Sequence, residues 1–243
     1  MKVLGHRGYS GEYPENTMLA FQKAFETGCD GVELDVQLSK DGIPVIMHDE
    51  AVDRTSDGKG LIKDYTYREL CRFNCSYPDK FKDAFDFQKI PSLEEYLAWM
   101  KQVSHTFVTN IELKNSIYYY GGLEKKVIDM VRSFGLEDRI ILSSFNNASI
   151  VNCKLMAPEI QTGFLIETCI GNPGVYVREQ MVDFYHPNLK YLTQEHVTSC
   201  MENGIGVNVW TVNEEEDLRK VEAWGVQAAI TNFPDRGVKA AKG

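Results

Sequence analysis

Short apolar runs alternate with amphipathic stretches along almost the whole chain, and this alternation limits the fold more than any other feature. Residues 3–5, 31–38, 107–113, 140–142, 161–166, 183–185, 207–212 and 228–231 read as strands. Residues 17–27, 92–102, 122–134, 146–156, 175–181, 194–203, 214–224 and 235–241 follow them as helices. Asn16 or Thr17 can cap the first, Ser92 with Glu95 forms a capping box on the second, and Gly135 stops the third. Such alternation demands a parallel sheet. Eight units in 243 residues is about thirty residues each, the size of a repeat in a closed α/β barrel. A doubly wound open sheet is the alternative, but it usually has fewer strands, and no GxGxxG follows the first strand. Residues 44–47 form a further extended run, joined to 31–38 by the turn Lys40-Asp41-Gly42. Residues 51–90 are rich in Asp, Lys, Tyr and Phe and weakly periodic, so they read as a small insertion after an early strand. No linker, repeat or low-complexity tract interrupts 1–243, which reads as a single domain.

Charge and composition narrow the partners. Lys plus Arg is 26 against 35 Asp plus Glu, a formal −9. That balance argues against nucleic acid and against anionic lipid as partners. The N-terminal residues lack the apolar core of a signal peptide, and no run approaches the roughly 20 apolar residues of a membrane span. The expectation is a cytoplasmic protein with no stable membrane anchor, its oligomeric state left open. Six scattered cysteines without a CxxC pair argue against structural zinc and read as free thiols of a reducing compartment.

Active sites of such barrels gather at the C-terminal ends of the strands, and four of those ends carry unusual polar residues. The first is His6-Arg7-Gly8, with Pro14-Glu15-Asn16-Thr17 soon after. Arg presents a planar fork suited to phosphate oxygens, and Gly8 permits close backbone approach. The second is Val32-Glu33-Leu34-Asp35-Val36. Glu33 and Asp35 share one strand face, which in a barrel points inward, and two inward carboxylates call for a cation. Mg²⁺ or Ca²⁺ suits such oxygen ligands. A solvent-facing edge strand is the plainer reading of the same alternation. The third, Asn110-Ile111-Glu112-Leu113-Lys114, repeats the pattern and offers Glu112 as a further ligand. Lys114 can offset the carboxylates or bind phosphate. The fourth, Val45-Ile46-Met47-His48-Asp49, brings His48 near the same mouth, and His6 with His48 would make an acid–base pair. Trp210, ending the seventh barrel strand, and Thr231-Asn232, ending the eighth, can wall a pocket. His105, His186 and His196 read as structural or surface residues.

Taken in order, His6-Arg7-Gly8, Pro14-Glu15-Asn16-Thr17, Glu33-Leu34-Asp35, Lys40-Asp41-Gly42, His48-Asp49, Glu112-Leu113-Lys114 and Trp210-Thr211-Val212-Asn213 resemble the glycerophosphodiester phosphodiesterase family. The resemblance implies a TIM barrel with a small insertion after an early strand. It implies metal-dependent hydrolysis of small-molecule glycerophosphodiesters to sn-glycerol 3-phosphate and an alcohol. Glu33, Asp35 and Glu112 would then ligate one divalent metal ion. His6 and His48 would be the acid–base pair, Arg7 and Lys114 phosphate contacts, and Trp210 a pocket wall. The rival readings are a lysophospholipase D-type or phosphoinositide-cleaving phosphodiesterase, or a non-catalytic barrel that binds a phosphorylated ligand. Lipid substrates would want an apolar rim, for which Tyr118-Tyr119-Tyr120 or Phe81, Phe85 and Phe87 are candidates, though packing is their plainer role.

Overall fold

The computed structural model describes residues 1–242. Nine strands form one sheet: β1 (Lys2–His6), β2 (Gly31–Leu38), β3 (Pro44–Ile46), β4 (Val108–Leu113), β5 (Ile140–Ser144), β6 (Gln161–Ile166), β7 (Phe184–Pro187), β8 (Gly206–Val209) and β9 (Ala228–Thr231). All but β3 are parallel, and β1 pairs with both β2 and β9, so eight strands close into the expected barrel. β3 is an antiparallel addition to the C-terminal end of β2, matching Val36 with Ile46 and Leu38 with Pro44.

The alternation within β2 explains its orientation. Val32, Leu34 and Val36 are wholly buried against Phe21, Ala24, Tyr96 and Leu97 of the surrounding helices. Each fully buried side chain of this size contributes roughly 1.5–3 kcal/mol. Glu33 and Asp35 are thereby committed to the barrel interior. On the opposite side Phe164, Tyr185, Val207 and Val209 face a second helix-packed cluster. Lower in the barrel, Leu4, Ala228 and Ile230 pack together inside.

Local signals set most boundaries. The first helix runs Met18–Glu26 with Thr17, not Asn16, as its cap, and Gly135 closes the helix Leu123–Phe134 in a left-handed conformation. Ser92 caps Leu93–Met100, but only half of the expected capping box forms, because Glu95 pairs with Lys89 at 2.8 Å. The full box is at Thr66 and Glu69 instead. The strand expected over 207–212 stops at Val209, where Trp210 and Thr211 are joined by a cis peptide bond. The helix expected over 175–181 starts at Pro173 and ends at Glu179.

The 51–90 insertion carries a short 3₁₀ turn, Ile62–Asp64, and the helices Tyr67–Leu70 and Pro78–Phe81. It has a small core of its own, in which Val52, Ile62, Leu70, Cys75 and Ile90 join Val45 and Met47. Among the described residues no helix is long and apolar enough to cross a membrane.

Candidate active site

The end of β1 is shaped by a tight turn. Arg7 and Gly8 both have positive φ, and a Cβ on Gly8 would lie 2.7 Å from the Ala20 backbone. Only glycine fits there, and the turn brings His6 and Arg7 over the barrel mouth. Strand register brings the rest together. His6 lies beside Glu33, Glu33 beside Asn110, and Asp35 beside Glu112. The Met47 amide donates to the Asp35 carbonyl at 3.0 Å, so His48 arrives next to the same carboxylates.

Glu33, Asp35 and Glu112 are buried, with ligand oxygens within 4.8 Å of one another. Water cannot screen them, and two cations compensate them only in part. Lys114 Nζ lies 2.8 Å from Glu112 and 3.8 Å from Asp35, and Arg7 Nε lies 3.6 Å from Asp35. The Arg7 amide donates to Glu33 at 3.0 Å and Asn16 donates to Asp35 at 2.8 Å. Burial, then the charges of Asp35 and Glu112, push the Glu33 carboxyl well up. Burial and Asp35 likewise raise Glu112, to about 7. Asp35 moves the other way: burial opposes its ionisation, but His48, Lys114 and Arg7 outweigh burial and hold it well below the usual range. One oxygen of Asp35 is buried with no hydrogen-bond partner. Three crowded carboxylates, one with an orphaned oxygen, fit a hard divalent cation.

The two histidines are held differently. His6 Nδ1 donates to Asn232 Oδ1 at 2.7 Å, which leaves Nε2 facing Glu33 at 3.9 Å. Burial, and then Arg7, bring its pKa down to about 4. His48 is half-buried, and its Nδ1 donates to Asp49 Oδ1 at 2.6 Å. Both line a cavity of about 270 Å³ together with Arg7, Glu33, Asn110, Glu112, Phe145, Glu167 and Trp210. Trp210 donates from Nε1 to the His186 carbonyl at 2.9 Å, and its ring meets Phe145 edge-on at 5.6 Å.

Residues 6–236 match the sequence model of the "Glycerophosphoryl diester phosphodiesterase family". The chain belongs to that family. A glycerophosphodiester phosphodiesterase of Bacillus altitudinis is 42% identical over 240 residues, covering 98% of this chain and 97% of its own. A phosphodiesterase of Oleispira antarctica, solved in complex with the product sn-glycerol-3-phosphate, superposes with a TM-score of 0.87 at 29% identity. That match covers 100% of this chain and 97% of the other. The Thermotoga maritima glycerophosphodiester phosphodiesterase gives 0.78 at 31% identity, over 98% and 96%. Glycerophosphodiester phosphodiesterases are phosphoric diester hydrolases, and the solved relatives share this barrel.

Within this family member the structure gathers all eight expected site residues at one mouth. Lys114, however, spends its ammonium on Glu112 and Asp35. Sequence reading missed Asn110 as a cavity residue, although its place two positions before Glu112 was a signal. It also missed Phe145 and Glu167, which sit in loops without periodicity. His186 is buried away from the mouth, with Nε2 3.1 Å from Asn208, and burial pushes its pKa down to about 3. Of the aromatic rim candidates, Tyr120 is buried and hydrogen-bonded to Gln37, whereas Tyr119 is exposed. Phe81 and Phe85 pack edge-on within the insertion, and Phe87 is exposed.

Proposed function

We propose that this mouth hydrolyses glycerophosphodiesters to sn-glycerol 3-phosphate and an alcohol, using one divalent cation, Mg²⁺ or Ca²⁺, held by Glu33, Asp35 and Glu112. One observation carries the reading: three undercompensated buried carboxylates lie together, and two of them, Glu33 and Glu112, line one cavity with both histidines and Arg7. Family membership and the product bound by the Oleispira relative support the substrate class. A cavity of about 270 Å³ suits a small polar ligand. The barrel and its insertion work as one domain, and the six free cysteines favour a cytoplasmic setting.

A phosphodiester repels nucleophiles through its own charge. The cation, when bound, would draw the phosphoryl oxygens and stabilise the charge that builds on them. Arg7 adds a donor, because its buried Nε has no hydrogen-bond partner and can meet a phosphoryl oxygen. Lys114 offsets the carboxylates and lends positive charge to the same oxygens. Trp210 and Phe145 wall the pocket and exclude water from it. His6 is neutral, with Nδ1–H engaged by Asn232, so its Nε2 is the acceptor for the proton of the attacking hydroxyl. Asp49 accepts from His48 Nδ1 and orients the ring, so His48 is the group assigned to hand a proton to the leaving alkoxide. The attacking hydroxyl is water or the glycerol 2-hydroxyl, and a cyclic phosphate among the products distinguishes the second.

The test assays glycerophosphocholine and a lysophospholipid with Mg²⁺, Ca²⁺ and Mn²⁺ in turn, then with excess chelator. Chelator-sensitive release of sn-glycerol 3-phosphate from glycerophosphocholine is expected. Full activity in chelator overturns the metal role, and no turnover of any diester overturns the function. His6→Ala and His48→Ala should each lower kcat about 10²–10⁴-fold with folding and metal binding retained. Unchanged kcat removes that histidine from the mechanism.

A further inference from the structure

The insertion contributes one side chain to the mouth without lining the cavity. Arg54 uses all five of its N–H donors. Nε and Nη2 hold Asp49 at 2.6 and 3.0 Å, and Nη1 and Nη2 hold Glu15 at 3.0 and 2.7 Å. Nη1 also donates to the Tyr77 hydroxyl at 3.1 Å. Each acid in turn holds a site residue. Asp49 accepts from His48 at 2.6 Å, and Glu15 accepts from Arg7 Nη1 at 2.8 Å. A continuous chain of short charged hydrogen bonds therefore runs from His48 to Arg7, with Arg54 at its centre.

The barrel holds the backbone on both sides of the mouth. His6 and Arg7 follow a ladder strand, and His48 follows β3, which is tied to β2 by three register pairs, by the Met47 amide on the Asp35 carbonyl and by Gln37 Nε2 on the Met47 and Asp49 carbonyls. Those bonds leave the His48 ring and the Arg7 guanidinium to be directed by their side-chain partners, and Arg54 joins those partners through the two carboxylates. An ordinary half-exposed arginine pair is worth little. A planar fork that bridges two carboxylates at once is a geometric device, and a lysine point charge cannot reproduce it.

The geometry points to Arg54 as a positioning residue: through Asp49 it fixes the tautomer and direction of His48, and through Glu15 it locks the His6–Arg7 turn against the His48 loop. This rests on the proposed role of His48. Misplacing a reacting group by about 1 Å can cost on the order of 10²-fold in rate. Arg54→Ala should therefore lower kcat about 100-fold while KM changes by less than about threefold. Low concentrations of guanidinium should restore part of that loss in Arg54→Ala and none in His48→Ala. In a His48→Ala background, Arg54→Ala should cost clearly less than the roughly 100-fold it costs the parent, because its effect through Asp49 is already gone and only that through Glu15 remains.

A kcat within about twofold of the parent for a folded Arg54→Ala protein overturns the proposal, as does a full multiplicative loss in the double variant. If Arg54→Ala does not fold, Arg54→Lys takes its place. A fall in kcat of about tenfold at near-constant KM supports the proposal, and parental kcat overturns it. Inert parent enzyme, or an active parent indifferent to His48→Ala, would instead overturn the underlying assignment. Arg54 variants that match an active, His48-dependent parent overturn this inference alone.

Discussion

Glu33 shows how one side chain can be costly alone and useful with a partner. It is buried, faces two other acids and is raised well above the usual carboxyl range. Glu33→Gln removes a like charge from the crowd while keeping its shape. The metal-free variant should melt at least as high as the parent, and the rise in Tm on adding Mg²⁺ or Ca²⁺ should shrink or vanish. Differential scanning calorimetry with and without chelator checks both, and an undiminished metal-dependent rise would remove Glu33 from the ligand set. Glu112 makes a second prediction. Its carboxyl is raised to about 7, so in the metal-free protein it is partly protonated near neutrality. A cation must displace that proton. Metal affinity should fall as pH drops from 8 to 6, with proton release on binding, as read by titration calorimetry in buffers of different ionisation enthalpy. Affinity independent of pH would exclude Glu112 as a ligand.

The turn that follows β1 links backbone to chemistry. Gly8 has φ +81°, and any Cβ would strike Ala20 of the first helix. Gly8→Ala should cost roughly 1–3 kcal/mol through backbone strain and overpacking. Because the turn carries His6 and Arg7, kcat should fall with stability. Chemical denaturation and steady-state kinetics on one preparation test this; a stable, fully active variant would show that the turn tolerates a Cβ. Legibility at this level followed the strength of the local signal. Thr17, one of the two expected caps, and Gly135 marked helix ends because capping and left-handed turns are local chemistry. Ser92 and Glu95 had the right spacing for a capping box, yet Lys89 claimed the Glu95 carboxylate, a competition that spacing does not reveal. The insertion looked irregular because its small core is assembled from residues scattered between Val45 and Ile90, with no period to detect.

Several titratable groups lie buried inside the barrel, and they make stability depend on pH. His186 is buried among Phe184, Asn208 and Gly163 with no acid beside it, and its pKa falls from 6.5 to about 3. The unfolded chain takes up this proton below 6.5 and the folded chain does not. Stability should therefore decline as pH falls through the window from 6.5 toward 3. His186→Gln removes that linkage. Its stability should change less with pH across the same window, even if its stability at pH 7 is lower. An unaltered slope in urea titrations at several pH values would show that His186 does not contribute. His186 does not line the cavity, and its backbone carbonyl, which accepts from Trp210, is unaltered by this change.

Periodicity and short motifs were enough to specify eight strand–helix units, the inward face of Glu33 and Asp35, and the residues that converge on one mouth. Those features depend on side-chain alternation and on chemistry within a few positions, which a linear chain displays directly. Only the folded molecule decided what each polar group spends its bonds on. It turned Lys114 toward Glu112 and Asp35, set Asn232 behind His6 across 226 positions, and brought Arg54 between Glu15 and Asp49. These pairings join distant segments through directional hydrogen bonds in a site shielded from water. Their partners are chosen by closure of the barrel and docking of the insertion, and no local pattern in the chain encodes that choice.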